Sequence, residues 1–234
     1  MAKRLFDAVG AAVALVLLAP LLLGLAVWIM LDSRGPVLYR QQRVGRFGLP
    51  FRIHKFRTMR PDADRQGPLL TVGEDARVTR AGRWLRHWRL DELPQLIDVL
   101  RGEMSLVGPR PEVPRYLERV PAALRDRVLA VRPGITGLSQ IRYRKEFEHL
   151  VGDDFEAFYL NTLLPTKLVI DQYYVDHQSW LLDVKCLLWT AVALLRGGEL
   201  QLSELADHVA FRPPRSGRVA QVSLTSVDDL SRAA

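Results

Sequence analysis

The sequence predicts an α+β domain, mostly helical, that attaches to a membrane through its N-terminal segment. Three observations predict it. Residues 8–31 form an uncharged apolar run. Residues 37–56 alternate apolar and polar side chains in two pieces. Beyond residue 80, apolar residues return at helical spacing in several stretches. A chain of 234 residues can bury a core, and its 48% apolar and 25% charged residues exclude wholesale disorder. One cysteine, Cys186, excludes an internal disulfide framework and a multi-cysteine zinc site. The five histidines are scattered with no His-x-x-x-His pair, which disfavours a zinc hydrolase.

The apolar run predicts a helix of about 36 Å, against a bilayer core of about 30 Å. A signal peptide is disfavoured because Leu31-Asp32-Ser33-Arg34 offers no small-x-small cleavage site. Pro20, near the middle, predicts a kink. Charge bears on topology as well. Residues 1–60 carry a net +8, with 10 basic and 2 acidic residues, whereas the formal charge of the whole chain is +7. Lys3 and Arg4 precede the run, and eight basic residues from Arg34 to Arg60 follow it. Both flanks therefore favour the cytoplasmic side. From the residues alone two readings stay open: a spanning helix with a tolerated proline, and a bent helix that enters and leaves by one leaflet. The basic excess beside an apolar segment points to an anionic membrane surface rather than nucleic acid, for which no recognition motif is present.

Val37-Leu38-Tyr39 and Phe51–Phe56 read as strands flanking a glycine-bearing loop. Residues 61–76 read as a loop. Arg80 to His87 reads as a helix with Trp84 and Leu85 buried. Leu90, Leu93, Leu96, Ile97 and Leu100 define the next helix; Pro94 restricts its start to near Asp91, a plausible N-cap, and Gly102 ends it. Gly108-Pro109-Arg110-Pro111 and Arg132–Gly137 read as rigid turns. Val113 to Val131 reads as helical apart from Pro121, and Phe155 to Val175 and Trp180 to Leu195 read as helices. The uncharged run Cys186–Leu195 is too short to span, so this last helix belongs in the core or at an interface. From about Arg212 the chain reads as a polar tail. The expected divisions are a membrane helix over 1–33, a domain over 34–195 and a C-terminal extension over 196–234.

One acidic pair stands out by context. Chance gives roughly three adjacent acidic pairs in such a chain, and four occur: Glu74-Asp75, Asp91-Glu92, Asp153-Asp154 and Asp228-Asp229. Asp91-Glu92 opens an apolar helix and follows Arg83, Arg86 and Arg89. On these residues alone, an N-cap with solvated arginines is the better reading. Arg110, Arg132, Arg142 and Arg144 sit in or beside stiff loops suited to holding a guanidinium against phosphate. Neither a Walker-type nor a Rossmann-type glycine motif is present.

The order of motifs then becomes specific. Lys3-Arg4…Asp7, the apolar run with Pro20, Gln42-Arg43-Val44-Gly45, Lys55-Phe56-Arg57-Thr58-Met59, Leu90-Asp91-Glu92-Leu93-Pro94-Gln95, Arg101-Gly102-Glu103-Met104-Ser105-Leu106-Val107-Gly108-Pro109-Arg110-Pro111-Glu112 and Pro133-Gly134-Ile135-Thr136-Gly137-Leu138-Ser139-Gln140 follow one another. This series, over about Lys3 to Leu195, resembles the bacterial sugar transferases. These are monotopic phosphoglycosyl transferases that begin lipid-linked glycan assembly, here in the small, catalytic-domain-only form.

The resemblance implies transfer of a phosphosugar from a UDP-sugar to polyprenyl (undecaprenyl) phosphate, with release of UMP, through an aspartyl-phosphosugar intermediate. That reaction is the first membrane step of exopolysaccharide, O-antigen or glycoprotein glycan assembly. It implies Asp91 as nucleophile and Mg²⁺ ligand, Glu92 as its catalytic partner, and Lys55, Arg57, Arg86, Arg110, Gln140 and Arg144 as phosphate contacts. It also implies a re-entrant helix broken at Pro20, interfacial amphipathic helices, and a place on the cytoplasmic face of the bacterial inner membrane, compatible with a homodimer. The chain departs from the family's pattern at Asp98, where Asn is frequent, at Arg142-Tyr143, and at Ala19. A non-catalytic membrane adaptor that binds anionic lipid is the alternative from another class.

Overall fold

The computed structural model describes residues 2–61, 63, 75–144 and 155–196. Helix α1 (Ala2–Asp32) runs without interruption through Pro20, rather than stopping there as the proline predicts. A proline removes one donor from the ladder, and the hydrogen bonds on either side carry the helix past it. One stripe of α1 packs along its full length. Asp7, Ala11, Leu25 and Ile29 are buried, and Ala14, Leu15, Leu18, Leu22 and Ala26 fill the intervals against the same domain. Spacings of three and four place these residues on one face. The opposite face leaves Leu5, Val9, Val13, Val16, Leu23 and Leu31 exposed.

Strands β1 (Leu38–Val44) and β2 (Pro50–Phe56) form the expected antiparallel hairpin, with Leu38 opposite Phe56 and Val44 opposite Pro50. Strand β1 is longer than its apolar piece, because the polar residues 40–43 continue the pairing. Phe51 and Ile53 pack with Ala11, and Phe56 packs with Leu25 and Ile29, so β2 runs antiparallel to α1 beneath it. Helix α2 (Arg80–His87) is capped by Thr79, whose side chain accepts the Gly82 N–H. A Cβ at Gly82 would collide with the Thr58 carbonyl, so only glycine lets the helix approach β2's extension this closely. Leu85 is buried as predicted. Trp84 is not: it is 43% exposed and leans on Trp28 of α1, with ring centroids 5.4 Å apart.

The predicted helix at Asp91 starts differently. Leu90–Gln95 is a 3₁₀ segment and α3 (Leu96–Arg101) follows it. Arg89, left-handed at φ 58, occupies the N-cap position, so Asp91 lies inside the turn and caps nothing. Packing selects the tighter turn, which brings Glu92 onto side chains from two other elements. Gly102, at φ 82, ends α3 as predicted.

A small parallel sheet was not legible. Strand β3 (Ser105–Val107) pairs with β4 (Gly134–Thr136) where the sequence reads as turns. Three-residue strands are too short to show alternation. Helices α4 (Pro114–Leu117) and α5 (Ala122–Val128) break at Pro121 as expected. Then come α6 (Leu138–Arg142), α7 (Phe155–Phe158), a π-helical turn over Tyr159–Leu163, α8 (Leu164–Asp176) and α9 (Trp180–Arg196). Helix α9 buries Asp183, Cys186 and Ala193 and exposes Leu181, Leu188 and Leu195. Its first residue, Trp180, meets Phe6 of α1 edge-on at 5.1 Å. Most of the predicted loop over 61–76 and the tail beyond 196 lie outside the described residues.

Candidate active site

Three elements converge on the acidic pair. The 3₁₀ segment carries Asp91 and Glu92, β2 carries Lys55, and the loop after β3 carries Arg110. Lys55 Nζ donates to Glu92 Oε1 at 2.7 Å. Arg110 Nη2 donates to the same oxygen at 3.0 Å, and Nη1 reaches Oε2 at 3.4 Å. Arg89 Nη1 stands 3.9 Å from Oε1. Glu92 is buried, which by itself raises a carboxyl pKa, but Arg110, Lys55 and Arg89 outweigh burial and hold it well below the carboxylate range. Burial also lowers Lys55, and Glu92 pulls it back.

Asp91 is different. It is only 8% exposed, and its Oδ1 is buried and accepts no hydrogen bond. Burial and the adjacent Glu92 push its pKa up, while Lys55, Arg89 and Arg86 pull it down. The cluster thus holds one carboxylate saturated with cations and one with an oxygen still available. A buried acceptor without a partner is costly, and such groups concentrate where a ligand completes them. Arg86 lies within electrostatic reach of Asp91 and donates from Nε to Thr58 Oγ1 at 2.8 Å.

The structure gathers Asp91, Glu92, Lys55, Arg86 and Arg110. It holds the other expected phosphate contacts by neutral partners. Arg57 is buried and donates to the carbonyls of Ile29, Ser33 and Arg34 at the end of α1, at 3.4, 2.7 and 2.5 Å. Arg144 donates to the carbonyls of Ala193 and His87. Gln140 donates to the Gly134 carbonyl at 3.3 Å and accepts from Ser139.

Other residues bear on the site without having been singled out. Arg43 donates to the Pro111 carbonyl at 3.0 Å, next to Arg110. Arg89 donates to the Arg144 carbonyl. Asp171 of α8 is buried and accepts from the Arg110 backbone N–H and from Ser139. Burial pushes its pKa up to about 7, against the pull of those bonds and of Lys167. The Arg110 loop is fixed to the small sheet, because Gly134 N–H donates to Pro109 O at 2.8 Å and Gly108 N–H to Thr136 O at 2.9 Å. None of these has a local sequence signal; an arginine in a strand and an aspartate in a helix look like solvated surface until the fold buries them.

Among the described residues, no three His, Cys, Asp or Glu side chains converge to hold a metal ion. With Glu92 engaged by cations, the donor the site offers is Asp91.

Comparison with known proteins agrees with this arrangement. The family model described as bacterial sugar transferase matches residues 1–197. The chain is 41% identical, over 82% of its length and 69% of the other's, to a UDP-glucose:undecaprenyl-phosphate glucose-1-phosphate transferase of Caulobacter vibrioides. It is 38% identical to a UDP-N-acetylgalactosamine-undecaprenyl-phosphate N-acetylgalactosaminephosphotransferase of Aeromonas hydrophila, over 83% of this chain and 44% of that protein. It is 40% identical to the exopolysaccharide production protein PSS of Rhizobium leguminosarum bv. phaseoli, over 84% of this chain and 96% of that one. The chain therefore spans less than half of the Aeromonas relative and nearly all of the Rhizobium one. The matched region contains α1, the hairpin, the acidic pair and the Arg110 loop together, and on that ground the chain belongs to the bacterial sugar transferase family.

Proposed function

We propose that this protein transfers a sugar phosphate from a UDP-sugar to polyprenyl phosphate. The observation that carries the reading is the unpartnered, buried Oδ1 of Asp91 beside a Glu92 already bound by Lys55 and Arg110. Asp91 attacks the sugar-bearing phosphorus of the donor. A carboxylate–phosphorus bond forms, the phosphoanhydride bond breaks, and UMP leaves with the bridging oxygen. A phosphate oxygen of the polyprenyl phosphate then attacks the same phosphorus and the Asp91 carboxylate leaves. One hard displacement is thus divided into two. Arg86 and Arg89, already within electrostatic reach of Asp91, offset the charge of the incoming diphosphate. Glu92 serves by keeping Lys55 and Arg110 charged and in place.

Mg²⁺ fits this donor set, because it is commonly held by one or two carboxylates with the rest of its shell from phosphate and water. Asp91 is the residue that would hold it, and the ion would offset charge on the diphosphate.

The packing of α1 supports attachment to one leaflet. Both of its ends are tied to the same domain. Lys3 Nζ donates to Asp183 at 2.6 Å, Arg4 to the Val99 carbonyl at 2.5 Å, and Asp7 accepts Ser105 Oγ at 2.9 Å. At the other end Arg57 takes three carbonyls, and Asp32 accepts the Ala81 N–H at 3.0 Å. A helix crossing the bilayer would carry one of these ends away. The exposed apolar faces of α1 and α9 instead sink into the cytoplasmic leaflet, with the basic residues of the first quarter near its head groups.

The test is UMP release by detergent-solubilised protein with polyprenyl phosphate, Mg²⁺ and a panel of UDP-sugars. The wild type should release UMP with at least one donor, and Asp91→Asn should lose at least about a thousandfold. Equal activity in the two proteins would remove Asp91 as nucleophile, and no release from any donor would favour the lipid-binding adaptor.

A further inference from the structure

We propose that His54 and Asp98 act as a clamp that seats Lys55 against Glu92. Strand β2 pairs with β1 alone, so its outer edge presents unpaired backbone groups. At His54 that edge is met by a carboxylate. The His54 backbone N–H donates to Asp98 Oδ2 at 2.8 Å, and the His54 ring Nδ1 lies 2.5 Å from Asp98 Oδ1. Asp98 is fully buried and His54 is 5% exposed. Arg101, one turn further along α3, brings Nη1 to 3.4 Å from His54 Nε2. An arginine can only donate, so Nε2 accepts and Nδ1 carries the proton toward Asp98.

Both carboxylate oxygens of Asp98 are therefore spent on one residue of β2, and that residue immediately precedes Lys55. Asp98 itself lies in α3, which continues directly from the 3₁₀ segment carrying Glu92. The clamp thus joins the strand that delivers the cation to the helix that delivers the acid. It touches neither Asp91 nor the diphosphate path. A strand held at one edge by β1 alone can slide or pivot; with Asp98 in place, the peptide unit entering Lys55 is fixed on both edges. The 2.7 Å contact from Lys55 to Glu92 follows from that placement. Removing His54 outright would leave a buried carboxylate short of donors, which is a large cost, so variants that keep a partner are the informative ones.

The experiment is competitive acylation of lysine amines in the full-length protein in detergent, read by peptide mass spectrometry, on wild type, Asp98→Asn and His54→Gln. Lys167, buried in a separate cluster with Glu112 and Tyr159, reports global opening. Asp98→Asn should raise Lys55 acylation about tenfold and leave Lys167 unchanged, since a charged acceptor for two donors becomes a neutral one. His54→Gln, whose amide can still donate to Asp98, should stay within about threefold of wild type. Lys55 and Lys167 accelerating together, or Lys55 unchanged in Asp98→Asn, overturns the clamp. The kinetic readout rests on the proposed reaction: kcat for UMP release should fall about tenfold in Asp98→Asn, with KM for the UDP-sugar within about twofold. Lower thermal stability with wild-type kcat overturns it as well. A wild type that releases no UMP defeats the proposed reaction, and the labelling then decides the clamp by itself.

Discussion

Asp171 shows how a single side chain can tie stability to pH beneath a reactive cluster. Its carboxyl accepts from Ser139 and from the Arg110 backbone, yet its Oδ1 is without a hydrogen bond. Burial pushes its pKa from 3.8 to about 7. The sign follows from proton counting. Between those two values the folded state keeps a proton that the unfolded chain has released, so stability falls as pH rises through that window and levels off above it. Asp171→Asn keeps an oxygen acceptor for Arg110 and Ser139 but cannot ionise. Its melting temperature should therefore drop less between pH 4.5 and pH 8 than that of the wild type (a comparison made at about 150 mM salt to hold screening fixed). Identical pH slopes would show that Asp171 does not carry the effect. The residue scale also explains Arg89. Its left-handed backbone is unusual for a side chain with a Cβ and costs roughly 1–2 kcal/mol, offset here by contacts to Glu92 and to the Arg144 carbonyl.

At the scale of elements, the junction between α1 and the hairpin rests on Arg57. A helix end leaves carbonyls without partners, and Arg57 satisfies three of them from inside the domain. This is a structural post for a residue expected to contact phosphate. Arg57→Met should lower the melting temperature and loosen α1, because charged hydrogen bonds of this kind contribute about 1.5–3 kcal/mol each. At temperatures where the variant stays folded, its KM for the UDP-sugar should remain within about twofold of wild type. A large rise in KM with unchanged melting temperature would instead return Arg57 to the phosphate path. The opposite end of α1 is tied in the same manner, with Arg4 donating to the Val99 and Leu100 carbonyls at the end of α3. Two arginines of opposite chain position thus perform one task, each closing the C-terminus of a helix on the other's element.

The whole molecule presents an apolar surface made of the outer faces of α1 and α9, with Trp28, Trp84 and Trp180 each more than a third exposed near its borders. Tryptophans of this kind favour the membrane–water boundary. If the chain lies in one leaflet, single cysteines introduced at Lys3 and at Arg34, with Cys186→Ser to remove the native thiol, should both resist an impermeant maleimide in intact cells. Both should react once the membrane is opened. Reaction of either one from outside would establish a spanning α1. Much of this arrangement was legible in the chain. The uncharged run over 8–31, the alternation over 37–56 and the spacing of Leu90 through Leu100 are periodic signals, and periodicity survives without knowledge of the fold. The ordered motifs around Asp91-Glu92 and Gly108–Glu112 identified the family and three of the gathered side chains beyond the acidic pair: Lys55, Arg86 and Arg110. The 3₁₀ start at Leu90, the parallel β3–β4 pair, the buried His54–Asp98 contact and the placement of Arg57 on α1 were not legible. Each depends on residues distant in the chain meeting at one point: Asp98 is ordinary until β2 lies against it, and Arg57 until α1 ends beside it. The sequence by itself determined which segments are helical or apolar, because those are local properties of neighbouring side chains. Only the tertiary structure decided which charges are paired and which carboxylate is left with an open oxygen, because burial and partnership arise between elements.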